Sequence, residues 1–294
     1  MTDKNFVTEL QSGVILVADG ATGTNLQQRG LPPGRAPDEW VFDNPEAVIQ
    51  LHRDFINAGS NLILTDTFGA TSLRLRGSNY EGKAVELNQR AVELARQAVG
   101  DHDVFVAGSL GPVGGLIQPY GPLSLDEVRE EYAEQAKALT KGGVDLMVIE
   151  TQFSLEEALA ALEGVQKNSS LPIIVSFSYD KGTRTMMGVK PSQVMETFSR
   201  RGVAAIGANC GKSLETNQQV IEEMAAAQTG VPIWAKPNAG LPIPGTIPAK
   251  YDTTPEQMGA VAVRLVQAGA QIVGGCCGTT PAHLAAIAAS VHTG

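Results

Sequence analysis

No apolar run in the 294-residue chain approaches the roughly 20 positions that a membrane-spanning helix needs; each is broken by polar residues first. The start, MTDKNFVTELQSG, lacks both the apolar core of a signal peptide and an arginine-rich presequence, so a cytoplasmic protein is expected. Positive charge is also short: 22 Lys and Arg stand against 31 Asp and Glu, a formal charge of −9. That excludes a nucleic-acid binder, which needs a basic face to displace counterions. No G-x-G-x-x-G follows the first apolar run, which argues against an open dinucleotide-binding sheet. Cysteine is scarce. The chain has Cys210, Cys276 and Cys277, and an odd count in a reducing compartment makes a disulfide framework a poor reading. These thiols are buried filler or chemistry.

What the chain does have is alternation. Short β-rich runs recur at Val14–Ala18, Leu62–Thr65, Val104–Ala107, Leu146–Ile149, Ile173–Phe177, Ala204–Ala208, Ile233–Ala235 and Ile272–Gly274, separated by segments of helical spacing. Helix starts are marked by Asn44, Thr254 and Thr280, each ahead of a proline, and by the capping boxes Ser124 with Glu127 and Ser154 with Glu157. Helix ends carry Gly59, Gly143, Gly202, Gly230 and Gly269, each shortly before the next strand. Eight strand–helix units without a shift in composition predict one α/β domain over residues 1–294, a (β/α)8 TIM barrel, with residues 1–10 loosely ordered. Gly- and Pro-rich connections at 29–42, 108–123 and 237–251 are expected to wall a cavity at the strand-to-helix end, where barrels place their chemistry.

Function is then read just past each strand: Asp19-Gly20, Asp66-Thr67, Glu150-Thr151, Asn209-Cys210, Lys236-Pro237-Asn238 and Gly275-Cys276-Cys277. Strands six and eight of a closed barrel are separated by one strand, about 10 Å, so all three cysteines can converge on one ion. Three thiolates suit Zn²⁺ with ~2.3 Å bonds and leave a fourth position open, pointing to a thiol substrate. None of the four histidines falls at a strand end. Buried packing of the cysteines and a vicinal disulfide are the competing readings. Asp19 and Glu150 face each other across the mouth, as ordinary loop or capping carboxylates or as partners for a substrate ammonium. The turn Gly20-Ala21-Thr22-Gly23 offers N–H groups to a substrate carboxylate.

The runs DGATGT (19–24), TDTFGA (65–70), ET (150–151), ANC (208–210), PNAGLP (237–242) and GGCCGTTP (274–281) together resemble the zinc-dependent homocysteine S-methyltransferases. Within them the chain is most similar to the homocysteine-binding module of cobalamin-dependent methionine synthases. The resemblance spans nearly the whole chain. It implies a (β/α)8 barrel in which Cys210, Cys276 and Cys277 hold Zn²⁺ and homocysteine sulfur takes the fourth position, to be methylated to methionine. It implies further that Asp19, Thr67 and Glu150, with the N–H groups of Gly20 and Ala21, bind the amino acid; Asn209 or Asn238 lines the site or supplies a fourth ligand without substrate. The methyl donor expected from the resemblance is a methylcorrinoid on a separate protein, since folate, cobalamin and reactivation modules are absent from this sequence. S-methylmethionine, S-adenosylmethionine or betaine is the alternative, and an aromatic cage for such a cation would draw on Trp40, Phe68, Tyr120 and Phe177. Outside the class stand a phosphate-binding lyase or aldolase with Lys236 as Schiff-base lysine, and a noncatalytic metal or thiol sensor. No nucleic-acid or membrane partner is expected.

Overall fold

The computed structural model describes residues 5–292. Its elements run α1 Phe6–Gln11, β1 Leu16–Val17, α2 Thr22–Gln28, α3 Trp40–Asp43, α4 Pro45–Asn57, β2 Leu62–Leu64, α5 Ala84–Val99, β3 Phe105–Leu110, α6 Leu125–Gly142, β4 Leu146–Gln152, α7 Leu155–Asn168, β5 Ile173–Phe177, α8 Pro191–Phe198, β6 Ala205–Cys210, α9 Leu214–Ala226, β7 Ile233–Pro237, α10 Pro255–Gln267, β8 Ala270–Val273 and α11 Pro281–His292. All eight expected strands form, each paired in parallel with its neighbours in the order β1-β8-β7-β6-β5-β4-β3-β2. The ring closes between β1 and β2 through a single backbone bridge, Ala18 with Leu62. Hydrogen bonds reinforce that seam: Asn61 N to Val17 O (2.7 Å), Val17 N to Asn61 Oδ1 (3.0 Å) and Leu64 N to Asp19 Oδ2 (2.8 Å).

Strand alternation sorts the core into two layers. Leu62, Leu64, Leu146, Val148, Trp234 and Ile272 fill the barrel interior, while Val17, Ile63, Met147, Ile149 and Ala235 pack outward against the helices. The same parity continues beyond the apolar residues. Asp66 follows Leu62 and Leu64, Glu150 follows Leu146 and Val148, and Lys236 follows Trp234, so each strand that fills the core delivers a polar group to the mouth.

Two expectations are corrected at the chain's start and helix caps. Residues 1–4 lie outside the described residues, but loose order does not extend to residue 10. Asn5 caps α1 through bonds from Val7 and Thr8 N–H, and Phe6 and Leu10 are buried under the barrel, Phe6 edge-on to Phe105 at 5.5 Å. Burying two such side chains contributes roughly 1.5–3 kcal/mol each, enough to hold one short helix against the N-terminal end of the ring. At the caps, Ser124 and Thr254 form full capping boxes, whereas the Asn44 side chain makes no capping bond. Ser154 accepts from Glu157 N–H, but the Glu157 carboxylate turns away to accept from Val113 N–H and Tyr132 Oη. The five expected C-terminal glycines all adopt positive φ. Among the described residues no helix is long and apolar enough to cross a membrane.

Candidate functional site

The sulfurs of Cys210, Cys276 and Cys277 lie within 4.8 Å of one another, Cys210 and Cys276 at 3.0 Å. Backbone geometry brings them together from opposite sides of β7. Cys210 ends β6 at φ 60°, a left-handed conformation uncommon for a residue with a Cβ, which turns its side chain back over the barrel. Asn217 Nδ2 and Asn238 N–H hold its carbonyl at 3.0 and 3.3 Å. The Cys276-Cys277 turn is pinned by Cys276 N–H to Pro237 O at 2.8 Å, Ala239 N–H to Cys277 O at 2.9 Å and Thr279 Oγ1 to Cys276 O at 2.7 Å. Only glycine fits at 275, where a Cβ would come within 2.4 Å of Thr279.

Such a triad fits a soft divalent cation, because a tetrahedral site with ~2.3 Å bonds sets its sulfurs ~3.8 Å apart. Its acid–base chemistry also calls for one. Hydrogen bonding with Cys276 and Cys277, then burial, pushes the Cys210 thiol well above its ordinary value. Bonds from Cys210 and Cys276 pull Cys277 down to about 3. The protein alone thus supports one thiolate with two thiols donating to it; a cation is what allows all three to ionise.

Asn209 is the cluster's organiser rather than a fourth ligand. Its Oδ1 accepts from Thr151 N–H (2.9 Å) and Ser176 Oγ (2.6 Å), and the backbone donor fixes which end is oxygen. Its Nδ2 therefore faces Thr151 Oγ1 at 2.7 Å and the sulfurs of Cys210 and Cys276 at 3.4 and 4.0 Å. Thr151, at φ 59°, is tied to Asn209 through its N–H and its Oγ1, next to a register shift in β4 between Ile149 and Gln152. Asn209→Ala is expected to weaken metal binding by roughly 10–100-fold, the usual effect of losing a partner that orients a ligand. Competition against a chromophoric chelator measures it, and an unchanged affinity would refute the role.

Above the triad opens a cavity of about 460 Å³ that also takes in Asp19, Glu150, Lys236, Gly20 and Ala21. Glu150 Oε1 accepts from Ser109 Oγ at 2.6 Å, and burial, only partly offset by Lys236, pushes its carboxyl up to about 7. Asp19 receives Lys236 Nζ at 2.6 Å on Oδ1 and Leu64 N–H on Oδ2, the pair being 1% and 4% exposed. Burial alone would lower the Lys236 amine, but Asp19, Glu150 and Cys276 together raise it, so it stays a protonated partner and is no free amine for a Schiff base. Within the expected turn Gly20-Ala21-Thr22-Gly23 one N–H group is already engaged. Ala21 sits at φ −74° without strain, but its N–H is engaged by Thr279, at 3.2 Å to Oγ1. The N–H groups of Thr22 and Gly23, in the first turn of α2, have no intrahelical acceptor and line the same cavity.

Other expected positions fall elsewhere. Thr67 has the outward parity; it is fully buried, donates to Ser109 O at 2.8 Å and meets Thr65 Oγ1 at 2.7 Å, behind the wall rather than on it. Asn238 clamps the turn after β6 through Gly211 O at 2.9 Å and does not line the cavity. Of the three expected connections the first reaches it through Pro37 and Asp38 and the second only through Ser109, which lies on β3; the one at 237–251 borders a groove beside α9 and α10 instead. No aromatic cage assembles from the four candidates. Phe68 lines the cavity, Trp40 and Phe177 are core residues, and Tyr120 is 76% exposed. Asp38, Asp66 and Ser109, not singled out as ligands from sequence, do line it.

The sequence profile of the homocysteine S-methyltransferases matches residues 16–291. The chain belongs to that family. It is 30% identical to the methionine synthase of Mycobacterium leprae over 94% of its own length and 28% identical to that of Mycobacterium tuberculosis over the same share. It spans about a quarter, 24%, of either relative. The metallated crystal structure of the homocysteine methyltransferase MmuM from Escherichia coli superposes with a TM-score of 0.81, at 26% identity, covering 96% of this chain and 98% of that one. Membership of this family and the Asp19–Lys236 pair both speak against the aldolase alternative.

Proposed function

We propose that this member of the family methylates homocysteine to methionine with Zn²⁺ held by Cys210, Cys276 and Cys277. What supports this is the convergence of three sulfurs on a cavity that is also lined by the Asp19 and Glu150 carboxylates and by the first turn of α2. Zinc, when bound, would supply a thiolate from the substrate's thiol, whose ordinary pKa of ~8.5 leaves it mostly protonated at neutral pH. Glu150 takes the substrate ammonium on the oxygen that Ser109 leaves free, with Asp19 as the second carboxylate. The N–H groups of Gly20, Thr22 and Gly23 take the substrate carboxylate. Lys236 offsets the negative charge that gathers at the sulfurs, and Asn209 donates to them. Three unpaired thiols persist in this form only in a reducing compartment, consistent with the cytoplasm.

Protons report on the scheme. Glu150 is half protonated near pH 7, and an arriving ammonium favours its carboxylate, so homocysteine binding expels that proton together with the one from the thiol. Affinity is therefore expected to fall as pH drops below about 7. Calorimetry on the zinc-loaded protein at pH 7, in buffers of different ionisation enthalpy, should give between one and two protons released. Glu150→Gln should bind roughly 10–100-fold more weakly, the loss of one charge-assisted bond, and release only the thiol proton. Binding without proton release would overturn the thiolate scheme; an unaltered Glu150→Gln titration would remove Glu150 from the cradle.

A further inference from the structure

The connection at 237–251 stays out of the cavity, but it grips the segment that carries two of the three cysteines. Its middle closes on itself as a short strap. Pro242 and Tyr251 form an antiparallel bridge, Ile243 N–H donates to Lys250 O at 2.7 Å, and Lys250 N–H donates to Thr246 Oγ1 at 2.9 Å. Both legs of the strap then attach to consecutive residues of one turn. On the incoming leg Ala239 N–H donates to Cys277 O. On the outgoing leg the Tyr251 ring lies against Gly278, so close that a Cβ there would fall within 2.2 Å of Cγ and 2.5 Å of both Cδ atoms. Two residues further on, Thr253 O accepts from His283 Nε2 at 2.8 Å. That nitrogen is the donor because Nδ1 accepts from Thr280 N–H at 3.1 Å.

Gly278 is therefore held by two elements. Its N–H donates to Thr24 Oγ1 at 3.2 Å, on the cavity wall, while the half-buried Tyr251 covers it without lining the cavity. At φ 82° neither its conformation nor the space under the ring admits a side chain. Burial, then the nearby Cys277, Cys276 and Cys210, pushes the phenol up to about 12, so the ring stays neutral beside the triad. Two adjacent ligands on one turn share its motion, and what packs on the next residue decides whether both sulfurs stay in place. Resting on the reading of the cysteines as zinc ligands, we propose that Tyr251 is a positioning residue of the metal site. Its ring presses on Gly278, keeps Cys276 and Cys277 in ligating geometry and slows release of the metal. Ring carbons make the contact, so the hydroxyl is dispensable.

The test compares the full chain with Tyr251→Phe, Tyr251→Ala, Gly278→Ala and the double variant Tyr251→Ala/Gly278→Ala. Zinc transfer to an excess of chromophoric chelator should be roughly tenfold or more faster from Tyr251→Ala, and within about twofold of wild type from Tyr251→Phe. Cobalt in place of zinc reads the geometry: Tyr251→Ala should shift and weaken the visible bands of the tetrahedral ion, and Tyr251→Phe should leave them unchanged. Gly278→Ala should also release zinc faster, but by much less when residue 251 is already alanine, because the clash with the ring has gone. In metal-free, reduced protein, amide exchange over residues 274–281 should quicken in Tyr251→Ala and not in Tyr251→Phe. Unchanged zinc release and exchange in Tyr251→Ala, additive effects in the double variant, or a Tyr251→Phe protein that behaves like Tyr251→Ala each overturn the role. A wild type that binds neither zinc nor cobalt would instead sink the zinc reading, while the exchange measurement still judges the hold on the turn.

Discussion

Cys210→Ser is expected to yield a folded barrel that no longer retains stoichiometric zinc and makes methionine at least about 10³-fold more slowly. Two losses combine. At pH 7 a free thiol of pKa ~8.5 is only about 3% thiolate, a factor of about 30. A reacting sulfur no longer held in place loses on the order of 100-fold more. The fold should survive because Cys210 is a mouth residue whose carbonyl, not its sulfur, carries the structural bonds to Asn217 and Asn238. Metal analysis after dialysis, circular dichroism and a donor panel with homocysteine check all three parts. A Cys210→Ser protein that keeps one zinc per chain and near-normal turnover would show that the triad is packing, the reading that the cysteine count alone left open.

Lys236→Met is expected to be the most destabilising change at the site, by about 3–5 kcal/mol, because it strands the Asp19 carboxylate in a place where it is 1% exposed. For a chain of this size that corresponds to a fall in Tm of roughly 5–8 °C. Asp19→Asn should also destabilise, since it leaves the ammonium of Lys236 buried without its counter-ion. The double variant should recover much of the loss, because removing both charges lets neither remain unpaired. Urea unfolding of the four proteins completes the cycle. Additive effects would mean that the 2.6 Å contact is incidental, and would return Lys236 to the status of a free, reactive amine.

The barrel was legible because each strand carries its own apolar run and each helix its own start and stop residues, signals that depend on near neighbours. Strand ends were read short where they turn polar: β4 continues to Gln152 and β6 to Cys210, so Glu150 and Cys210 lie on strands rather than after them. The convergence of the three cysteines could be read because cysteine is rare here and all three fall at the same end of the ring. Thr67 was misplaced for a reason present in the sequence: counting by twos from Leu62 points Asp66, not Thr67, into the barrel. The Asp19–Lys236 pair joins residues 217 apart, and the capture of the Ala21 N–H by Thr279 joins residues 258 apart. Neither leaves a local mark. The orientation of Asn209 was equally hidden, since it is set by a backbone donor from another strand.

The closing seam of the ring gives position 19 a double duty. Between β1 and β2 a single backbone bridge is supplemented by the Asp19 carboxylate and the Asn61 side chain. A closed sheet breathes where its ladder is thinnest, and here the first opening would part Asp19 from Leu64 and slacken the amino-acid pocket in the same movement. On the proposed reading of Asp19 as a substrate carboxylate, occupancy of that pocket and closure of the cylinder would favour one another, so a change along the seam would be felt in affinity as well as in stability.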